Sequence, residues 1–231
     1  MPRRQAAGAC PWVRESATLL LERRLLTVLI AASVRAVRRA HIPLWYTEGF
    51  NPHPYLTFAL PLSLGHESEA EPMDIRIEGE MENEEIKTRL NKVMPEGIEI
   101  TEVTEAGCDP KEICYADYEI LLAFASADEA EAFAGRAKTL LSDGELSAEK
   151  PGKQGRQKVK KKVTLKDYIF GFDINCEKDS VLLKCTLSAG NTTNLNPALL
   201  LESLNAVIKA DIISKKICRK RLLKAGFEEF R

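Results

Sequence analysis

Segments in which apolar and polar residues alternate recur along this chain, and they constrain its fold more than any other feature. Met73, Ile75 and Ile77 alternate with charged residues, and residues 118–124 and 181–187 show the same period of two. This period turns one side of each segment toward a core and the other toward solvent, which is typical of half-buried β-strands. Further strands are expected at 55–60, 98–100, 159–165, 168–174 and 212–223.

Helix signals separate these strands. Asn83, Ser126 and Asn196 each precede a segment with apolar residues at helical spacing, and each has a side chain suited to capping a helix N-terminus. A fourth, longer helix is expected over Ser16–Ala40, because apolar residues dominate its centre. A polar stretch rich in glycine, residues 142–157, is expected to be a mobile loop.

The order of these elements predicts an α+β protein with two halves of the β-α-β-β-α-β, or ferredoxin-like, type. Antiparallel sheets would carry helices on one face. An atypical segment at 1–34 would precede a first half at 35–112 and a second half at 113–231. In this prediction the first half lacks a recognisable opening strand, because the helix takes its place.

Basic residues are concentrated in one stretch of the second half. Residues 150–166 carry eight Lys or Arg and no Asp or Glu, although the chain as a whole has a net charge of -1. Clustered lysines can neutralise the phosphates of a nucleic acid. Solvated surface is the alternative. The candidate RNA contacts are Lys158, Lys160, Lys161 and Lys162.

The loop at 190–197 is a second candidate for phosphate contact. It leads into the N-terminus of the helix that begins at Pro197, where free backbone N–H groups favour anions. Asn191, Thr192 and Asn194 add side-chain donors. A simple capped helix start is the alternative, since the sequence holds no glycine-rich nucleotide-binding motif ending in Lys-Ser or Lys-Thr.

The most unusual segment runs from His41 to His66 and holds all three histidines of the chain. Two prolines flank His53 and restrict its backbone. Three interpretations remain open: a metal site, a loop whose aromatic rings contact a ligand or RNA, and a rigid structural connector. The histidine spacing matches no compact ligand pair, so no metal is assigned. The candidate ligand contacts are Arg38, Arg39, Glu48, Phe50, Asn51, His53 and Tyr55.

Composition excludes several classes of protein. A net charge of -1 argues against a globally basic nucleic-acid binder, and six cysteines without a CxxC pair fit neither a disulfide scaffold nor a structural zinc site. The cysteines also lack the spacing that holds an iron–sulfur cluster. No apolar stretch is long enough to span a membrane and no export signal is evident. A cytoplasmic protein with reduced thiols is expected, with no catalytic residue assigned.

Residues 35–74, RAVRRAHIPLWYTEGFNPHPYLTFALPLSLGHESEAEPMD, closely resemble the opening region of the radical SAM-linked protein family, a bacterial domain of unknown function. Residues 194–204, NLNPALLLESL, resemble a later segment of that family. The resemblance covers about residues 35–224. It leaves out residues 1–34, where the family has a strand and a Ser-His-Leu-Asp helix start, so a frameshift or a wrong start is one explanation of this segment.

The resemblance implies a partner of a cobalamin-binding radical SAM protein and no known catalytic residue. We therefore expect a non-catalytic domain that presents RNA, or a ribosome-associated target, to a radical SAM enzyme. That enzyme, and not this chain, would carry S-adenosylmethionine, the iron–sulfur cluster and cobalamin. One alternative is an enzyme in which His53 meets an acid such as Glu48 or Glu67. The other is a purely structural protein–protein adaptor.

Overall fold

The computed structural model describes residues 12–21, 26–144, 146–154, 157–190 and 193–230. The strands in these residues are β1 Trp12–Leu21, β2 Leu56–Phe58, β3 Glu67–Glu78, β4 Ile98–Glu105, β5 Ile113–Ala123, β6 Ser147–Gln154, β7 Gln157–Thr164, β8 Ile169–Glu177, β9 Ser180–Ser188 and β10 Ser214–Lys224. The α-helices are α1 Leu26–Arg39, α2 Asn83–Asn91, α3 Ala127–Asp143 and α4 Pro197–Ile208. The α+β class is confirmed.

One eight-stranded sheet runs through both halves of the described chain. Its order is β4-β1-β3-β10-β5-β9-β8, and β2 pairs with β3. All neighbours are antiparallel except β3 and β10, which are parallel and pair through only two residue pairs, Glu67 with Cys218 and Ser68 with Arg219. The sheet is therefore mixed rather than purely antiparallel, and this short parallel junction joins the two halves.

The prediction of a helix over Ser16–Ala40 is wrong for its first part. Residues 12–21 form β1, which inserts between β3 and β4 and pairs antiparallel with both. The first half therefore has the opening strand that the sequence prediction denied it. Helix propensity is a weak determinant even for Leu and Ala, and pairing with two strands that would otherwise expose unpaired edges overrides it. The helix begins at Leu26 instead.

Two buried clusters form the core, one for each half. In the first, Met73, Ile75 and Ile77 of β3 pack with Ile86 and Leu90 of α2. The second is built on the alternate residues of β5, and α3 and α4 contribute Phe133 and Leu204. The helices thus cover one side of β5, and its other side carries partly exposed residues that belong to no core cluster.

The stretch 142–157 is largely not a loop, contrary to expectation. Helix α3 runs to Asp143 and ends at Gly144, whose φ of 71° is left-handed. Strand β6 then begins at Ser147 and pairs antiparallel with β7 in a separate two-stranded hairpin. Composition alone could not reveal this, because β6 owes its extended form to pairing with β7. The hairpin is closed at its base by the Leu165 N–H, which donates to the Leu146 carbonyl at 2.8 Å.

Helix starts were predicted with mixed success. Asn196 caps α4, its side chain accepting from the Ala198 N–H at 2.9 Å, and Ser126 caps α3. Asn83, however, is the first residue of α2, and Glu82 occupies the cap position. In the part of the chain that the structure describes, no helix is both long and apolar enough to cross a membrane.

Candidate functional site

The GFNPHP segment forms a hydrogen-bonded loop that projects from the first half. Tyr46 and Pro54 face each other in an isolated bridge, and the Thr47 N–H donates to the His53 carbonyl at 2.9 Å. The turn passes through Gly49, whose φ of 130° suits glycine. At the tip, Glu48, Phe50 and Asn51 are exposed. The loop thus presents the Phe50 ring to solvent.

Arginine side chains lie over the other aromatic rings of this loop. The Arg76 guanidinium lies 4.0 Å from the centre of the Tyr55 ring and 5.2 Å from that of Trp45. Arg38 lies 5.9 Å from the centre of the Tyr46 ring. These are cation–π distances. Of the candidate contacts, Arg38 and Tyr55 therefore join the base of the loop, and Arg39 is exposed on the last turn of α1.

His53 is exposed, and its ring nitrogen Nδ1 is 3.0 Å from the Thr47 hydroxyl and 3.2 Å from the Asn51 carbonyl. Glu67, one acid proposed to meet it, instead pairs with Lys216 at 2.8 Å. His66 is buried elsewhere, where burial, Arg219 and Lys215 lower its pKa. Within the described ranges, no group of three or more His, Cys, Asp or Glu residues is arranged to hold a metal ion.

The loop before α4 lies at one end of the second half. Of its three candidates, Asn191 and Thr192 fall outside the described residues, and Asn194 is exposed. The neighbouring Thr193 accepts a hydrogen bond from the Ser188 hydroxyl at 2.9 Å. Gly190 has a φ of 155°, and a Cβ there would lie 2.6 Å from the Ile113 carbonyl oxygen. The loop therefore packs tightly against the start of β5.

All four candidate lysines of the basic stretch lie on β7. In the β6–β7 register, Lys158 is opposite Lys153, Lys161 is opposite Lys150, and Lys160 is opposite Pro151. Lys162 is opposite Glu149, which is the only acidic residue between 147 and 164. The basic residues that form one run in the sequence thus lie on the two paired strands of one hairpin.

A buried ion pair that the sequence analysis did not predict lies at the junction of the two halves. Arg219 of β10 and Glu71 of β3 each have about 1% of their side chain exposed. The Arg219 Nε donates to Glu71 Oε1 at 2.9 Å and its Nη2 donates to the Leu60 carbonyl at 2.9 Å. Burial raises the pKa of Glu71, and the guanidinium opposes that rise. Although desolvation disfavours the charged guanidinium, Glu71 raises the pKa of Arg219.

Flanking ion pairs continue this junction on the surface. Lys216 pairs with Glu67, and Lys220 pairs with Glu69. A sequence signal did exist, because an acidic run ESEAE and a basic run KKICRKR have the charge complementarity expected of neighbouring strands. Pairing acidic with basic runs would have predicted the β3–β10 contact.

The helix-free side of the second half holds a cavity of 540 Å³ lined mainly by paired charges. Lys184 lies 3.2 Å from Glu119, and Arg221 donates to Asp117 from its Nε at 2.9 Å. The Thr186 hydroxyl also donates to Asp117, at 2.7 Å. Because these charges already satisfy one another, the cavity offers little that is free to bind an ion.

Three aromatic rings form a further cluster at the end of that side, which we call the aromatic cluster: Tyr115, Phe170 and Phe227. The Tyr115 and Phe227 rings stack with centres 4.6 Å apart and an angle of 18°. Phe170 meets Tyr115 edge-on at 4.4 Å. Tyr115 and Phe170 line a cavity of 660 Å³ together with Lys111, Ser188 and Thr193. Sequence reasoning missed the cluster, since its members come from three distant segments.

Comparison with protein families identifies the chain. The family model described as "Uncharacterized protein conserved in bacteria (DUF2344)" matches residues 29–197, which is more than half of the sequence. The chain belongs to the DUF2344 family. The match begins at residue 29 and takes in the GFNPHP loop, the β6–β7 hairpin and the loop before α4. No curated protein matches the sequence.

The comparison with solved structures finds a likeness in fold alone. A chain from the crystal structure of a Cbf5-Nop10-Gar1 complex aligns with 94% of this chain at a TM-score of 0.50 and 8% identity. A chain of the archaeal box H/ACA sRNP Nop10-Cbf5 complex aligns at 0.46 and 9% identity. This chain spans about half of each, 50% and 49%. A protein from Galdieria sulphuraria aligns over 95% of this chain and 99% of its own, at 0.26 and 10% identity.

Proposed function

We propose that this DUF2344 chain is a non-catalytic RNA-binding accessory domain, and that the β6–β7 hairpin is its main contact with the phosphate backbone. The observation that carries this proposal is the charge of the hairpin. Residues 147–164 hold seven Lys or Arg against one Glu. The hairpin is a two-stranded sheet of its own, separate from the main sheet.

The register of the hairpin supports a polyanionic ligand. Lysines lie directly opposite one another at two positions, 150 with 161 and 153 with 158. Like charges at opposed positions of an antiparallel pair destabilise it. Bound phosphates would remove that repulsion, so ligand binding and formation of the hairpin would favour each other.

The root of the hairpin lies close to the other candidate contacts. Lys166 follows β7 directly, and its side chain lines a cavity with Leu146 and Phe170. Phe170 also lines the cavity that holds Thr193 of the loop before α4. Phe170 therefore lines cavities beside both the root of the hairpin and Thr193 of the loop before α4, and one strand of RNA could contact both.

We also propose that each half is a ferredoxin-like unit. In the first half the strand order is β4-β1-β3-β2, and in the second it is β10-β5-β9-β8. If only the strands of the main sheet are counted along the chain, each half has the same spatial order: fourth, first, third, second. All neighbours within each half are antiparallel. A common order in both halves is what two units of one supersecondary type would produce.

The proposed protein partner is a radical SAM enzyme that acts on the presented RNA, as the resemblance of residues 35–74 implies. Affinity purification from a bacterial host, with and without nuclease, tests this part. Nuclease-resistant recovery of a radical SAM protein supports a direct partner. Recovery only from untreated samples would support bridging by RNA, and recovery in neither sample would remove the partner from the proposal.

RNA binding is tested by fluorescence anisotropy with a labelled single-stranded 20-mer over a range of salt concentrations. Neutralising the four hairpin lysines should weaken binding and reduce the slope of log K against log salt by about 0.7 for each phosphate that the hairpin no longer neutralises. The variant is Lys158→Gln, Lys160→Gln, Lys161→Gln and Lys162→Gln.

A matched control carries the same number of Lys→Gln changes at exposed positions outside the hairpin, namely Lys92, Lys138, Lys178 and Lys209. It removes equal charge, so it separates a local contact from a general effect of net charge. Equal weakening in both variants would refute the hairpin as the contact. Absence of salt-dependent binding by the unmodified chain would refute the RNA-binding function itself.

A further inference from the structure

The aromatic cluster presents two phenylalanine rings to solvent where a folded chain would ordinarily bury them. Phe170 is 45% exposed and Phe227 is 52% exposed. Tyr115 lies beneath Phe227 on the helix-free side of β5, stacked on it at 4.6 Å. The two phenylalanine rings lie 6.2 Å apart with their planes inclined at 61°, so they form an angled apolar surface, here called the platform, with Tyr115 behind it.

The backbone holds both exposed rings in unusual conformations. Phe227 has a φ of 64° and follows Gly226 with a φ of 84°. A bulky side chain is disfavoured in this left-handed region, and such strain tends to persist at binding sites. The β8–β9 register shifts between Ile169 and Gly171, where Phe170 lies. An irregularity of this kind redirects a side chain out of the strand pattern.

Polar and basic groups surround the platform. Ser188 and Thr193 supply hydroxyl groups to the adjoining 660 Å³ cavity, and Lys111 supplies an exposed ammonium group that also pairs with Asp109 at 3.6 Å. Asp167 is the acidic residue on the same wall. Lys166, on the other side of Phe170, extends the basic charge of the hairpin up to the platform.

We propose that the aromatic cluster stacks unpaired nucleobases of a single-stranded RNA whose phosphates lie along the hairpin. This inference rests on the proposed RNA-binding function and adds where the bases bind and that they must be unpaired. Exposed aromatic rings at the edge of a sheet, with basic residues near them, can stack bases as single-strand binders do. Lys111 already pairs with Asp109 at 3.6 Å, but a purely apolar protein partner would leave the charge of Lys166 unmatched.

The chemistry assigns a role to each part of the site. A base on the outer face of Phe227 or Phe170 gains stacking without sequence preference, because every base has a π-face. The exposed Thr193 hydroxyl, whose oxygen accepts from Ser188, still has its own proton to donate to a base edge or a ribose 2′-hydroxyl. A duplex would keep its bases inside and gain only the phosphate contacts.

The test compares two labelled 12-mers in anisotropy titrations, a single-stranded oligouridine and an abasic strand with the same phosphates. The double variant Phe170→Leu and Phe227→Leu should bind oligouridine about 5- to 150-fold more weakly for each base that no longer stacks. Its affinity for the abasic strand and its salt slope should not change. Leu121→Ala, at an exposed apolar position on the same strand as Tyr115, is the matched control and should bind both strands as the unmodified chain does.

The outcomes separate this inference from the function on which it rests. If the unmodified chain binds neither strand, the RNA-binding function fails and the inference with it. If it binds both strands equally, or the double variant retains full affinity for oligouridine, phosphate binding stands and the stacking site is refuted. A weakening caused by Phe50→Leu but not by the double variant would move the base contact to the GFNPHP loop. Thermal melts establish that each variant is folded.

Discussion

Replacing Arg219 by methionine should destabilise the whole fold, because the change leaves a buried carboxylate without its partner. In the native chain the guanidinium donates to Glu71 and to the Leu60 carbonyl. Removing one member of a buried pair costs about 3–5 kcal/mol. For a chain of this size each kcal/mol shifts Tm by about 2–4 °C, so Tm should fall by about 6–20 °C.

The assay is urea unfolding followed by circular dichroism, with two comparison variants. Arg221→Met removes a neighbouring arginine whose pair with Asp117 is exposed at 57% on the arginine side. Asp117 is only 17% exposed, but it keeps the hydrogen bond from the Thr186 hydroxyl, so this variant should lower the free energy of unfolding by clearly less than Arg219→Met does. The double variant Arg219→Met and Glu71→Leu should recover most of the stability, because apolar residues of similar volume often replace a buried pair without net cost.

Two results would refute this reasoning. A destabilisation below about 1 kcal/mol for Arg219→Met would mean that the pair is not desolvated as its burial indicates. A double variant as unstable as the sum of its single changes would mean that packing, and not the orphaned charge, dominates the cost. If Arg219→Met does not fold, the double variant still decides the question, since it should fold.

Two further predictions concern single positions. Burial, Arg219 and Lys215 lower the pKa of His66 below its ordinary 6.5, so near that pH the unfolded chain binds a proton more readily than the folded chain does. The free energy of unfolding should therefore fall as pH decreases below about 6.5. In urea titrations between pH 7 and 5, His66→Gln should flatten this fall. An unchanged profile would contradict the assignment. Gly190→Ala places a Cβ 2.6 Å from the Ile113 carbonyl oxygen and should lower the free energy of unfolding by about 1–3 kcal/mol. The control Gly107→Ala, with open space around its Cβ, should change it by less than about 0.5 kcal/mol. Equal melting temperatures for the two variants would show that the loop adjusts freely.

Local patterns predicted much of the fold because they act over a few residues. The alternation at Met73–Ile77 and the caps at Ser126 and Asn196 depend only on neighbours in sequence, and the structure confirms them. Strand β1 could not be found this way, because its extended form depends on β3 and β4. Its helix-favouring residues point to the opposite conclusion when they are considered alone.

The candidate sites also divide into those formed by neighbours in sequence and those formed by distant segments. The sequence identified the GFNPHP loop and the lysine run, which are each continuous. It missed the aromatic cluster and the Arg219–Glu71 pair, whose members are brought together by the topology from distant segments. Sites of this second kind depend on strand order, and no local period in the sequence encodes that order.

The short parallel junction between β3 and β10 has a consequence for folding during synthesis. Glu71 leaves the ribosome 148 residues before Arg219, the residue that neutralises it. Until β10 is made, Glu67 and Ser68 of β3 lack the strand that pairs with them and Glu71 lacks its counter-charge, so the nascent N-terminal half cannot reach its final state. The last strand therefore completes two structures at once: it closes the sheet of its own half and fastens that half to the one translated first.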